Sequence, residues 1–436
     1  MVMVLLCGTQ LLLLLDFSIV NLALPDMRHA LGFSTSGVQW VASAYAVTFG
    51  GFLLLGGRMV DLLGGRRLLV VGLVVFGAAS LAGGCAPVPV VLVAMRAVQG
   101  IGAALIAPAV LALLTMAFPE GSQRNRMIGW FVAASASGFG LGALLGGVLT
   151  EGFGWRAVLL VNVPLVAVAV IVALRVLVAP QRRVRRPGAE VLGAVLGIVG
   201  LILVIYGFTV LESGVKALSA VGLVGLGCGC VGVFLAVDRR LRRPLLPLRV
   251  LRLRNVAAAN VIGLFGNGVF GATTSLLSLE LQDSSGLTPL VAGLCFVPFG
   301  VAVAVSATTT PRLVARYGAK RVLVSGAIVM AAGTAFLSQA NAWAALMSGV
   351  VVVAVGGGAV YTSVTITGTE GVPDEHQGFV SGLLNMTTQV GTALCVAVLV
   401  TLAGQDTSGT AFGVATAVLA AVAALAAVAV RSHRWS

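Results

Sequence analysis

Two ionisable residues stand where water is not expected. Asp16 interrupts the run LLLLLDFSIVNLALP, Leu11 to Pro25, and Arg96 interrupts LVAMRAVQGIGAA, Leu92 to Ala104. A charge in hydrocarbon costs several kcal/mol, so such residues pair, face a wet cavity or relay protons. A carboxylate takes up and releases a proton, and a guanidinium nearby tunes that exchange. Asp61, in GRMVDLLGGRR from Gly57 to Arg67, lies just past an apolar run and beside Arg66 and Arg67. It can pair with those arginines or with the N-terminus of another helix. Anchoring a loop needs only bases, so the acid points to a latch that holds one conformation. Asn267 sits midway along an apolar run, where an amide facing lipid would be poorly satisfied. Gly138, Gly142 and Gly146, followed by Gly147, fall at four-residue steps on one helix face, where a neighbouring backbone can approach closely. Static packing and sliding between rigid bodies both fit that stripe. Glu280, beside Gln282 and Asp283, either draws cations to an outer opening or is a solvated interfacial residue.

Other chemistry finds no support. The three histidines, His29, His376 and His433, lie near loops or ends, and no phosphate loop or metal-ligand cluster is present, so an enzyme is not expected. The six cysteines sit inside apolar runs, with Cys228 and Cys230 directed to different helix faces, and read as small core residues. No metal or organic cofactor is expected.

The elements that must position these residues are membrane helices. The chain has 436 residues, 59% of them hydrophobic and only 9% charged, with 57 glycines. About 25% charge is usual for a soluble domain. Long continuous apolar runs, rather than alternating ones, exclude a β-barrel. On a span of roughly 20 residues the chain divides into fourteen apolar runs, the seventh at Val191–Leu211 and the eighth at Ala217–Val237. The expected class is an all-α polytopic membrane protein. The net charge of +13 does not indicate nucleic acid, because the bases punctuate the apolar runs. With the N-terminus cytoplasmic, only Arg28, Arg156 and Lys216 of the 27 Lys and Arg fall in outside loops, and only Arg96 falls within a helix. That asymmetry places both termini in the cytoplasm. Helix 1 then runs outward and helix 4 inward, and Asp16 and Arg96 each lie roughly 12 Å below the outer surface. The two charges share one layer.

The chain also repeats itself. RMVDLLGGRRLLVVG, Arg58 to Gly72, resembles RLVARYGAKRVLVSG, Arg312 to Gly326, and Pro119 and Gln123 match Pro373 and Gln377 at the same spacing. Both copies fall in cytoplasmic loops, so the repeat is parallel, as in transporters whose two halves rock about a site between them. Ala315 replaces Asp61 in the second copy, so the latch is expected on one side only.

These motifs resemble the major facilitator superfamily, and within it the fourteen-helix drug:proton antiporters. The resemblance is carried by LDFSIVNLALP in helix 1, VQWVASAYAV in helix 2, the Gly57–Arg67 loop, LVAMRAVQGIGAA in helix 4, and GFGLGALLGG with WRAVLLVNVP in helices 5 and 6. Leu62 and Gly65 stand where the loop motif usually has bases, and Ala143 where the helix 5 motif usually has proline. The resemblance implies two six-helix halves, 1–178 and 244–436, with basic linkers and an inserted helix pair at 179–243. It places helices 1, 4, 9 and 12 around a cavity, to which Asn21, Gln39, Trp40, Tyr45, Gln99 and Asn267 are assigned. It implies proton coupling through Asp16 and Arg96, a latch at Asp61, Arg66 and Arg67, and an antiporter packing motif at Gly138, Gly142, Gly146 and Gly147. The implied function is export of small lipophilic substrates, cationic ones included, from a bacterial cytoplasmic membrane by a monomer, using the proton gradient and no cofactor. Its partners are protons, substrate and lipids, and not nucleic acid. An importer of the same fold and a non-transporting sensor or assembly subunit are the alternatives.

Overall fold

The computed structural model describes residues 1–177, 191–212, 217–238, 247–279, 289–339, 343–403 and 408–430. Among them there is no strand. The first half comprises α1 (Val2–Leu31), α2 (Thr35–Val38), α3 (Trp40–Leu63), α4 (Gly65–Gly84), α5 (Pro89–Ala117), α6 (Ser122–Phe153), α7 (Trp155–Leu160) and α8 (Asn162–Val176). The pair α9 (Val191–Glu212) and α10 (Ala217–Asp238) follows, then α11 (Leu248–Leu251), α12 (Arg254–Leu279), α13 (Pro289–Tyr317), α14 (Ala319–Leu337), α15 (Trp343–Thr369), α16 (Gln377–Ala403) and α17 (Ser408–Ala429). Thirteen helical stretches are long and apolar enough to cross a membrane, with α7 and α8 together making one, and Leu196–Gly207 in α9 is a shorter apolar one. Helices are the expected solution here, because each satisfies its own backbone groups where no water is available.

Local chemistry sets the breaks. The sequence predicts an end to helix 1 near Leu24, before Pro25, but α1 continues to Leu31 and closes on Gly32, whose φ of 72° and ψ of 34° make a left-handed cap. The repeat is kept in the backbone as well as the letters. Gly64 and Gly318 precede α4 and α14 with φ of 91° and 85°, a region open to glycine at no steric cost. The sixth predicted span is divided at Val161, with Pro164 in the first turn of α8. Proline has no N–H to return to the preceding turn.

The two halves meet along two seams. On one, α3 packs against α16; on the other, α6 packs against α13. Glycines make the approach close. A Cβ at Gly57 would fall 2.9 Å from Gly382 Cα, and one at Gly129 would fall 2.6 Å from the Ala307 carbonyl. The inserted pair lies over the α3–α16 seam, where Gly50 and Gly51 receive Ile205 and Ile202 of α9. The basic linkers predicted around 179–190 and 239–243, together with Glu280, lie outside the described residues.

Candidate functional site: a buried charge cluster and a sealed seam

The Asp16 carboxylate and the Arg96 guanidinium meet. Arg96 Nη1 donates to Asp16 Oδ2 at 2.8 Å, although the residues are 80 positions apart. Asp16 is 0% and Arg96 1% exposed. Neither charge is left bare. Asp16 Oδ1 accepts from Gln99 Nε2 at 2.8 Å and from Asn162 Nδ2 at 2.6 Å. Arg96 Nη1 also donates to Gln99 Oε1 at 2.7 Å, and Arg96 Nε donates to the Val41 carbonyl at 3.0 Å. Its guanidinium lies over the Tyr45 ring, 4.4 Å from the centroid, a cation–π contact favoured where water is excluded. Breaking one member of such a pair leaves an uncompensated buried charge, at a cost of about 3–5 kcal/mol.

Five helices hold the cluster: α1 (Asp16), α3 (Tyr45), α4 (Ser80), α5 (Arg96, Gln99) and α8 (Asn162). All belong to the first half. The helical spacing puts Gln99 one turn from Arg96 on the same face of α5. Ser80 Oγ donates to the Phe76 carbonyl at 2.7 Å and accepts from Gln99 Nε2 at 2.9 Å. Asn162 and Ser80 were not singled out from the sequence. The signal available was a polar side chain inside an apolar run, the same signal that marked Asn267.

The cavity assignments fare differently. Tyr45 and Gln99 are buried within the charge cluster rather than open to a cavity. Trp40 stands exposed at the start of α3, with its ring 5.4 Å from that of Tyr206 in the inserted pair. Gln39 beside it is exposed, and so is Asn21, whose amide donates to its own helix at the Phe17 carbonyl, 3.1 Å away. Asn267 is buried in the second half. It donates to Thr388 Oγ1 at 3.4 Å, and its Oδ1 has no partner.

At the end of the bundle that carries the repeat loops, the seams are closed by hydrogen bonds between halves. Asp61 caps α16: its two carboxylate oxygens accept from Gly378 N at 2.8 Å and Phe379 N at 2.9 Å. Of the two partners open to it in the sequence, Asp61 takes the helix N-terminus. Arg66 turns away and donates to the Leu174 carbonyl at 2.8 Å, while Arg67 is exposed. The base nearest Asp61 is Arg58, at 4.0 Å. A one-sided latch is expected from Ala315, yet the other seam carries bonds between halves as well. On the other seam, Glu120 Oε1 accepts from Gly371 N at 2.8 Å, and Arg124 Nη2 donates to the Thr369 carbonyl at 2.6 Å.

The glycine stripe faces α1. Cβ atoms at Gly138 and Gly142 would lie 2.5 and 2.7 Å from the Leu11 and Leu15 carbonyls, and one at Gly146 would lie 3.1 Å from that of Ile19. Gly147 is half-buried beside them. Both helices belong to one half, so the stripe packs that half internally and is not a surface on which the halves slide.

Two helical halves, a charge cluster buried inside one of them and seams sealed at one end define a multi-pass membrane transporter. The chain belongs to the Major Facilitator Superfamily, whose profile matches residues 6–396 and 256–434. That family is one of transporters, not enzymes. The chain is 38% identical over 416 residues to a cephamycin export protein of Amycolatopsis lactamdurans, covering 93% of this chain and 85% of that one. It is 37% identical to a puromycin resistance protein of Streptomyces alboniger, covering 93% and 82%. Among solved structures, the human organic anion transporter MFSD10 superposes with a TM-score of 0.73 at 16% identity, covering 98% of each chain. A proton:xylose symporter does so with a TM-score of 0.69 at 13% identity, covering 97% of this chain and 94% of that one. These likenesses carry the fold alone.

Proposed function

We propose that this chain exports lipophilic small molecules from a bacterial cytoplasmic membrane in exchange for protons, by alternating access of two six-helix halves. The topology that goes with it has fourteen spans and both termini cytoplasmic, so the sealed end faces the cytoplasm. The observation that carries the reading is the Asp16–Arg96 pair. The two charges are buried and bonded to each other on helices long and apolar enough to cross a membrane, where an apolar packing of equal volume would be no less stable. A charge retained there is best explained by the proton it can take up. In the sealed state three donors surround the Asp16 carboxyl, which is 0% exposed, so proton exchange requires the cluster to open. Relatives that export or confer resistance to antibiotics support the outward direction. Asp61 and the Glu120–Arg124 clasp are the groups that hold the cytoplasmic seams shut.

The test uses inverted membrane vesicles and a lipophilic dye. Dye uptake should collapse when an uncoupler is added with ATP maintained, and Asp16→Asn at normal membrane abundance should abolish it. Uptake that survives the uncoupler but fails on ATP depletion, or full transport by Asp16→Asn, overturns proton coupling. Dye driven out of the same vesicles by the proton gradient would make the chain an importer.

A further inference from the structure

The two amides that touch Asp16 are held in different ways. Gln99 is fixed at both ends. Arg96 has only donors to offer, so Gln99 must turn its oxygen toward Nη1. Ser80 gives its one proton to the Phe76 carbonyl, so it can only accept from Gln99 Nε2. Gln99 therefore always donates to Asp16. Asn162 has no such anchor. Its Nδ2 donates to Asp16 Oδ1 at 2.6 Å, while its Oδ1 is buried with no partner, in a residue that is 0% exposed. Several buried amides, Asn267 among them, have one end uncommitted, but among the described residues Asn162 is the one of these whose other end is bonded to a carboxyl, and such a group calls for an explanation.

We infer that Asn162 is an amide toggle for the proton on Asp16, a positioning residue that supports both charge states of the carboxyl. With Asp16 ionised, the amide points its nitrogen at Oδ1, as observed. When a proton binds, an O–H bond forms at Asp16 Oδ1 and the acid becomes a donor. Rotation of the amide about its terminal bond brings Asn162 Oδ1 to the place of Nδ2, where it accepts that O–H. Either orientation leaves one amide end free, so the flip sacrifices no other hydrogen bond. Gln99 cannot follow, because turning it would break its bonds to both Arg96 and Ser80. The inference rests on the reading of Asp16 as the proton carrier.

Other charged groups on the elements packed against α1 stand elsewhere. Among the described residues, Arg96 of α5 is the only charge bonded to Asp16, and Tyr45 of α3 is the one other titratable side chain in the cluster. Arg58 and Asp61 of α3, and Arg124 and Arg126 of α6, lie at the sealed end. Glu151 lies at the opposite end of α6 and Arg175 in the last turn of α8. Arg156 of α7 donates to the Ala86 carbonyl and lies over Trp155. No charged residue occurs in α2.

The experiment is a pH titration of the purified full chain by infrared difference spectroscopy, following the carbonyl band of the protonated acid, identified by its loss in Asp16→Asn. In Asn162→Leu the band should move to higher frequency, because the acid has lost its acceptor. Its pH midpoint should rise by up to about one unit, since the charged form loses a stronger bond than the neutral one. Asn162→Ala provides the same two readouts if the leucine variant does not accumulate. A band absent from the wild type over the whole titration would remove Asp16 as carrier, and the toggle with it. A band that titrates in the wild type and keeps its frequency in the Asn162 variants would overturn the toggle alone: a raised midpoint would then make Asn162 a fixed donor, and an unchanged one a packing residue.

Discussion

Removing the Asp61 carboxylate should unseal the α3–α16 seam, and the size of the effect follows from its two bonds. Asp61 has a 2% exposed side chain and accepts from Gly378 N and Phe379 N at 2.8 and 2.9 Å. Hydrogen bonds to a charged group contribute about 1.5–3 kcal/mol each, net of the water they displace. The favourable placement of an anion at a helix N-terminus is part of the same interaction. The lower bound for two such bonds is about 3 kcal/mol, a factor of roughly a hundred in the sealed-to-open ratio. A minor state populated at about 1% would then become comparable to the major one. Asp61→Asn keeps one acceptor and should lose about half of that, near tenfold. Nitroxide labels at Arg67→Cys and Glu375→Cys, both exposed at this end, in a background without the six native cysteines, report the distance across the seam by pulsed spin resonance. Asp61→Ala should add a second, longer component of similar weight, while Arg66→Ala should not, because Arg66 is bonded to Leu174 within its own half. A single unchanged distance in Asp61→Ala, in protein of normal thermal stability, would refute the capping argument.

The second clasp should behave in the same way: Glu120→Ala together with Arg124→Ala lengthens a label distance across the α6–α15 contact and leaves the Arg67–Glu375 distance in place. Arg96→Ala should reduce thermal stability by about 3–5 kcal/mol, since it strands a buried carboxylate. A melting temperature equal to wild type would show that Asp16 simply neutralises. Gly142→Val should fail to accumulate, because its Cβ falls 2.7 Å from the Leu15 carbonyl; a normally abundant Gly142→Val would show that α1 and α6 can separate at little cost.

The sequence made some of this architecture readable and hid the rest for a physical reason. A membrane segment announces itself by an apolar run, and a costly residue inside such a run announces a site. Asp16 and Arg96 were therefore legible, even at 80 positions' separation, because two helices of opposite direction can be put on one depth scale. The repeat was legible too, down to Gly64 and Gly318, since a required positive φ favours one residue type. Depth says nothing about azimuth, however. Tyr45, Gln99 and Trp40 are assigned to a cavity through the family resemblance, and two of them turn inward to the charge cluster while the third faces the inserted pair. Asn162 needed the same rule applied once more: an amide beside Pro164 in an apolar run has to find a polar partner. The partners that escaped altogether were backbone atoms. Asp61 takes two N–H groups of α16, Arg66 the Leu174 carbonyl, Arg124 the Thr369 carbonyl and Arg96 the Val41 carbonyl. Every residue except proline carries the same donor and every residue the same acceptor, so no letter marks which one is used. That is why the exchange of Asp61 for Ala315 suggested a one-sided latch. The second copy lost its acid, but Glu120 and Arg124 close the same end through main-chain groups that any sequence would have supplied.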